Sequence, residues 1–446
     1  MLRRFAISLL LMGIALAAYG RTRPHYGGTM RVEIEGDPWQ RPDGMARRLV
    51  LDGLTRMSPD GRTVPALAID WKSESDNHRW QFRLRPGVHF SDGAALTSVA
   101  VVSSLNASCT DACPWTAVRA TGSSVVFTGD SSMPALPALL AGDAYLIALT
   151  GTSGDGDGGL IGTGAFEPGG FANGLLKLTA NENCWRGRPF IDAIEMRVHR
   201  SVRDQWLDLS VGRADIVEVP AEQLRQAQQD HLRLFTSPPV TLLALEITDS
   251  GALANSLLRS SVSLAIDRGA LSNVIYQKQG EVTASLLPAS LTGYAFLFPT
   301  ERDLNKANEY RGGLTPHQLT ISSQGGAAMQ LAAQRIALNL REAGFNVQVA
   351  SGTQRGDLVL CALALESRDP QSAMASLLRG AGQSSPVIDP SPAALYKVER
   401  EFLDRKTLIP LLYLPRAFAV SGRVRDLRLD ADGLPDLADA SLEDAP

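Results

Sequence analysis

Two neighbouring stretches, LVLDGLTRMSPDGRTVPALAIDW (residues 49–71) and RWQFRLRPGVHFSDGAALTSVAVVSSLN (residues 79–106), decide how this chain is read. In the second, Trp80, Phe82 and Leu84 alternate with Gln81, Arg83 and Arg85. A period of two predicts a strand buried on one face. Pro59-Asp60-Gly61 and Pro86-Gly87 mark turns on either side. Val88 and Phe90 lead to a further turn at Ser91-Asp92-Gly93, and Thr97 stands where the N-cap of a following helix is expected. Together these stretches predict a small α+β unit with tight turns.

Working outward, Gly27-Gly28-Thr29 opens a strand with Met30, Val32 and Ile34 on one face and Arg31 and Glu33 on the other, broken by Asp37-Pro38. Gly162-Thr163-Gly164-Ala165-Phe166 precedes a strand carrying Leu176 and Leu178, then Asn181-Glu182-Asn183-Cys184-Trp185-Arg186-Gly187-Arg188-Pro189 and a strand at IDAIEMRVHR (residues 191–200). Leu258, Val262, Ala265 and Ile266 share one helical face, and Asp267 is placed to cap a second helix. Ala332, Ile336, Leu340 and Ala343 line another helix, stopped by Gly344, after which Phe345, Val347 and Val349 alternate, so a βαβ unit is expected. Thr241–Thr248 (TLLALEIT) and Leu408–Leu414 (LIPLLYL) read as apolar strands. No repeat with a period of 20–50 residues is visible.

The order of these segments resembles the family 5 extracellular solute-binding proteins, the dipeptide and oligopeptide receptors of bacterial ABC importers. The resemblance runs from Gly27 to about Glu443 and includes Arg259, Ala265, Ile266, Asp267 and Arg268 of an Arg-x-Ala-Leu-x-x-Ala-Ile-Asp-Arg signature, with Ser261 and Val262 in place of its Ala-Leu. Cys184 replaces the usual first aromatic of the Asn-aromatic-aromatic-Gly-Pro block. The resemblance implies an α/β, two-lobed periplasmic-binding-protein-like fold with mixed sheets and a hinged inter-lobe cleft. It implies lobe I at residues 19–248 and 406–446, with a small inserted subdomain at about 70–160, and lobe II at residues 249–405.

Composition agrees with a globular chain of several domains: 446 residues, 44% hydrophobic and 20% charged, with a net charge of −4. That balance, with no run of five like charges, speaks against nucleic acid as a partner. Arg3 and Arg4 precede an apolar run from Phe5 to Ala18 ending in Ala15-Leu16-Ala17. The run is short of the roughly 20 residues that span a bilayer, so residues 1–18 are expected to be a cleaved export signal and the mature protein periplasmic. An uncleaved anchor is the alternative. With Cys109 and Cys113 four apart, a local disulfide is open to them if a helix ends there; Cys184 and Cys361 are expected to be buried and free.

Catalytic and metal motifs are not found. The six histidines are scattered, and neither a nucleophile elbow, a phosphate-binding loop nor a CxxC pair occurs. The glycine-rich loop Gly154–Gly159 lacks the spaced ligands of a calcium site and reads as solvated. No cofactor is expected, and the chain is not expected to be an enzyme.

The candidate site lies in LVLCALALESRDP, residues 358–370: an apolar strand from Leu358 to Leu365, then Glu366, then Asp369-Pro370. In the resembled receptors an acidic side chain four residues before a proline binds the ligand's α-ammonium group, and the strand before it pairs with an extended peptide. That role carries over to Glu366, with Leu363 and Leu365 on the pairing strand and Asp369 beside it. Leu363 replaces the family's tryptophan, and glutamate replaces its aspartate. Trp39 follows the first strand turn and either stacks on a ligand or sits in the core. The resemblance further implies a small-molecule or peptide ligand, a membrane permease as partner, and a monomer. A secreted hydrolase on a similar scaffold, and a degenerate receptor serving as sensor or chaperone-like binder, remain the alternatives.

Overall fold

A computed structural model describes residues 25–39, 44–58, 60–109, 113–149, 160–248, 251–314, 318–323, 325–350, 355–382 and 391–443. The expected signal (residues 1–18) and the loop Gly154–Gly159 lie outside the described residues. No helix among the described residues is long and apolar enough to cross a membrane.

One eleven-stranded mixed sheet runs through the molecule. From one edge its strands are Val347–Val349, Leu319–Ser323, Leu358–Ala364, Leu234–Ile247, Leu408–Val420, Ile216–Glu218, Thr29–Glu33, Ala193–Arg197, Leu175–Ala180 and Phe166–Ala172, with the short Glu281–Val282 also pairing to Leu408–Val420. Leu319–Ser323 and Val347–Val349 are parallel and joined by the helix Ala327–Glu342, the βαβ unit that the sequence pattern predicts. Gly344 adopts a positive φ of +80° just past this helix, a backbone state that glycine enters without a Cβ clash. Phe345 and Val347 are buried, but Val349 is exposed, because it ends the edge strand.

Strands buried on both faces read as continuous apolar runs rather than alternating ones. In Thr241–Ile247, Leu243, Leu245 and Ile247 enter a core built with Val262, Ala265, Ile336 and Leu340. Leu242 and Ala244 enter a second core, on the opposite face, with Met374 and Leu377. The same double covering extends to the first strand: Glu33, on the face opposite Met30 and Val32, is also buried, its carboxylate paired with Arg200.

The two longest strands, Leu234–Ile247 and Leu408–Val420, pair with each other along almost their whole length. Leu234–Thr236 pairs with Ala417–Ala419, which also neighbours Ile216–Glu218 of the first half of the sheet. Thr241–Glu246 pairs with Leu408–Leu414 and with Leu358–Ala364 of the second half. Between the two halves the register slips twice, at Ser237–Val240, where Pro239 faces Pro415. Proline has no N–H to donate, so the ladder is thin there.

The segment that opened the sequence reading forms a separate four-stranded sheet, Ala68–Glu74, Arg79–Leu84, Ser124–Thr128 and Ala117–Thr121, covered by the helix Ser98–Ser108. Trp80, Phe82 and Leu84 face its core as expected, with Phe82 packed against Trp71, Trp80 and Phe127. Thr97 caps the helix, accepting from Ala100 N–H. Cys109, at the helix end, is bonded to Cys113. Cys184 is buried and free; Cys361 is free and only half-buried, packed at the margin of the core that holds Leu363 and Met374.

Candidate ligand-binding cleft

A cavity of about 120 Å³ is walled by elements from both halves of the sheet. The helix Met45–Val50 contributes Arg48. The single turn Asp143–Tyr145 contributes Asp143. Glu366 enters just past the strand Leu358–Ala364. Asp430 and Asp432 come from the tight connection between Arg428–Leu429 and Pro435–Asp436.

Arg48 is the hub. Its Nε donates to Asp143 Oδ1 at 2.7 Å, one Nη lies 2.6 Å from Asp432 Oδ2, and the other lies 3.9 Å from Asp430. Three carboxylates around one guanidinium hold its pKa above the ordinary arginine value against the burial that opposes its charge. They are not themselves fully compensated. Asp143 is 1% exposed, and its Oδ2 has no hydrogen-bond partner. Burial pushes its pKa up, Asp432 adds to this, and Arg48 works against it. Asp430 is likewise raised, by burial and then by Asp432.

Among the described residues Glu366 makes no hydrogen bond or ion pair. The position a Cβ would take on Gly142 lies 3.3 Å from Glu366 Oε2, which places this carboxylate against the chain segment that carries Asp143. Burial pushes the Glu366 pKa up to about 7; Asp143 adds to this, and Arg379 and Arg48 oppose it. Arg379 is held over the Tyr145 ring, 5.4 Å from its centroid. Across the whole cavity wall, six carboxylates (Asp52, Asp143, Glu366, Asp430, Asp432 and Asp436) face Arg48, Arg56 and Arg186. Asp52 is occupied, accepting from Thr163 Oγ1 and Trp185 Nε1. Among the described residues no group of His, Cys, Asp or Glu side chains is arranged to hold a metal ion.

Of the five residues singled out from the sequence, Glu366 lines this cavity. Leu363 and Leu365 point into an apolar core with Val240, Leu242 and Met374. Asp369 caps the helix Pro370–Gly380, accepting from Ser372 N–H and Oγ at 2.9 Å each. Asp369→Ala should therefore lower stability by about 1 kcal/mol, the usual worth of an N-cap, and leave ligand affinity unchanged in a titration. Trp39 is half-buried against the first-half core that includes Met30 and Val32, and its ring N–H is buried without a partner. Sequence reasoning missed Arg48, Asp143, Asp430 and Asp432. The one available signal was an arginine pair, Arg47-Arg48, set within an otherwise apolar helix.

Comparison with known proteins places this arrangement in a class. Residues 62–395 match the bacterial extracellular solute-binding proteins, family 5 (middle region), and the chain belongs to that family. It is similar to the peptide transport periplasmic protein SapA of Salmonella typhimurium, 27% identical over 249 residues, 50% of this chain and 45% of that protein. It is also similar to a probable di/tripeptide-binding protein 5 of Pseudomonas aeruginosa, 23% identical over 65% of this chain and 64% of that one. The alignments thus span about half to two thirds of these curated relatives. Among solved structures, DppA of Helicobacter pylori in complex with the peptide STSA superimposes with a TM-score of 0.80 at 18% identity, covering 94% of this chain and 99% of that one. NikA of Staphylococcus aureus in complex with Ni(L-His)2 gives 0.81 at 16% identity, covering 94% and 100%. These likenesses establish the two-lobed fold.

Proposed function

We propose that this chain is the exported, periplasmic receptor of an ABC importer. It captures a small solute, a short peptide, through a cationic group held by Glu366, and hands it to a membrane permease as a monomer without catalysing a reaction. The observation that carries this reading is the Glu366 carboxylate: unpaired, set in the cleft wall, and four residues before Pro370. An amine placed there would gain a charge-assisted hydrogen bond. The strand before it supports a peptide. Leu319–Ser323 pairs with Leu358–Leu360 only, so on that edge Cys361–Ala364 has no strand partner among the described residues. An extended peptide binds such an edge through main-chain hydrogen bonds.

A cavity of about 120 Å³ is smaller than the roughly 300–1,000 Å³ typical of ligand pockets. We therefore assign the structure to a closed state, in which Gly61 packs on Arg368 across the cleft. We place the bend at Ser237–Val240 and Pro415–Arg416. That moves Thr241–Thr248 and Leu408–Leu414 with lobe II (residues 249–405) against the remainder of lobe I. Native mass spectrometry of gently purified protein should reveal a retained peptide or small cation; steady turnover of a substrate would instead establish an enzyme. Small-angle scattering should show a smaller radius of gyration with ligand than without. An unchanged radius at proven occupancy would remove the hinge.

A further inference from the structure

We propose that Asp143 is a second anchor facing Glu366 across the cleft, and that the site takes a ligand whose head carries two positive charges. The inference rests on the receptor reading above and narrows its ligand class. Three observations carry it. Asp143 is almost wholly buried, yet its Oδ2 has no hydrogen-bond partner, while its Oδ1 is taken by Arg48. Glu366 reaches the adjoining Gly142 from the other half of the molecule with no partner of its own. The cavity wall carries twice as many carboxylates as arginines.

The cations nearby are already engaged or displaced. Arg48 is shared among Asp143, Asp432 and Asp430. Arg379 lies over Tyr145. Arg47 contributes to the field at Asp143 without bonding its Oδ2. Two carboxylates brought together from opposite lobes repel each other, so closure is opposed until positive charge lies between them. A single α-ammonium group satisfies Glu366 and leaves Asp143 Oδ2 bare. A head with two ammonium groups within a few bonds of each other satisfies both. A cavity of about 120 Å³ exceeds several-fold the roughly 10–15 Å³ of probe-occupied volume that one water needs, which leaves room for a short head group such as a small diamine.

Titration calorimetry with three probes, 1,3-diaminopropane, Lys-Ala and Ala-Ala, tests this on the wild type, Asp143→Asn and Glu366→Gln. Lys-Ala should bind the wild type at least roughly 30-fold more tightly than Ala-Ala, as expected for one additional desolvated charge pair. In Asp143→Asn the preference should shrink to within about threefold, while Glu366→Gln should weaken both peptides. Binding of diaminopropane with the same loss in both variants identifies a free diamine as sufficient. Binding of Lys-Ala alone identifies a peptide as the source of the two charges. Equal wild-type affinity for Lys-Ala and Ala-Ala overturns the second anchor while leaving the Glu366 reading intact. Affinity for all probes unaffected by Glu366→Gln overturns the receptor site itself. Since Asp143→Asn alters a buried ion pair, the wild-type ratio alone decides the matter should that variant not fold.

Discussion

Glu366→Gln is expected to weaken capture of an amine-bearing ligand by roughly 30-fold or more and, at the same time, to stabilise the unliganded protein above neutral pH. The affinity loss follows from leaving a buried ammonium unpaired, about 2–5 kcal/mol. The stability gain has the opposite origin. The Glu366 pKa rises from an ordinary 4.5 to about 7 in the folded protein. Below pH 4.5 the carboxyl is protonated in both folded and unfolded chains and costs nothing. Between pH 4.5 and 7 the unfolded chain ionises first, and stability falls; above 7 the full penalty is present. A shift of this size corresponds to about 3 kcal/mol, reduced to roughly half by solvent at the exposed edge of the carboxylate. Scanning calorimetry should show Glu366→Gln melting above the wild type at pH 8 and together with it at pH 4. Wild-type ligand binding at pH 7 should also release up to about half a proton, read from calorimetry in buffers of different ionisation enthalpy. A merely structural glutamate would lose stability on substitution and release no proton.

Glu399→Ala should be the most damaging single change to the fold, costing about 4 kcal/mol or more. Glu399 is 0% exposed, on the helix Pro392–Asp404. Its Oε1 accepts from Ser285 Oγ at 2.6 Å, Leu287 N–H at 3.2 Å and Leu286 N–H, and its Oε2 accepts from Tyr294 OH at 2.8 Å. Truncation strands three buried donors, Leu286 N–H, Leu287 N–H and Tyr294 OH, each carrying a desolvation penalty of about 1–3 kcal/mol, while the Ser285 hydroxyl can turn to Leu287 O at 2.7 Å. Burial raises the Glu399 pKa, so Glu399→Gln, which removes the charge, should cost less. It keeps one acceptor oxygen for the Leu286 and Leu287 N–H groups while its amide NH2 donates to Tyr294 Oη. Urea denaturation of the three proteins ranks them; equal losses for alanine and glutamine would mean the charge itself is what matters.

The framework was legible in the sequence because it is written in local rules. Alternation gave the strand Arg79–Leu84, Thr97 and Asp267 proved to be caps, and Ala327–Glu342 followed its apolar stripe. The cleft was legible at one position only. Glu366 could be located because a strand and a proline bracket it. Asp369 sits immediately before the same proline but spends its carboxylate on a helix end, and sequence pattern alone does not separate the two. Asp143, Arg48 and Asp432 are far apart in the chain and meet through packing, so nothing local distinguishes them from other charged residues. The burial of Glu33 was not legible for a related reason: the second face of its strand is covered, and the ion pair that satisfies it comes from Arg200, far along the chain.

On the hinge proposed above, the facing of Pro239 and Pro415 would set how quickly a receptor of this kind exchanges its cargo. A lobe that swings about an intact ladder must rupture main-chain hydrogen bonds on every cycle. At this junction few such bonds exist, and Arg416 N–H is instead held by the side chain of Ser237. A hinge placed there would therefore behave as a leaf spring rather than a latch. The activation enthalpy of cargo release should accordingly report the contacts inside the cleft, with the spring itself adding little.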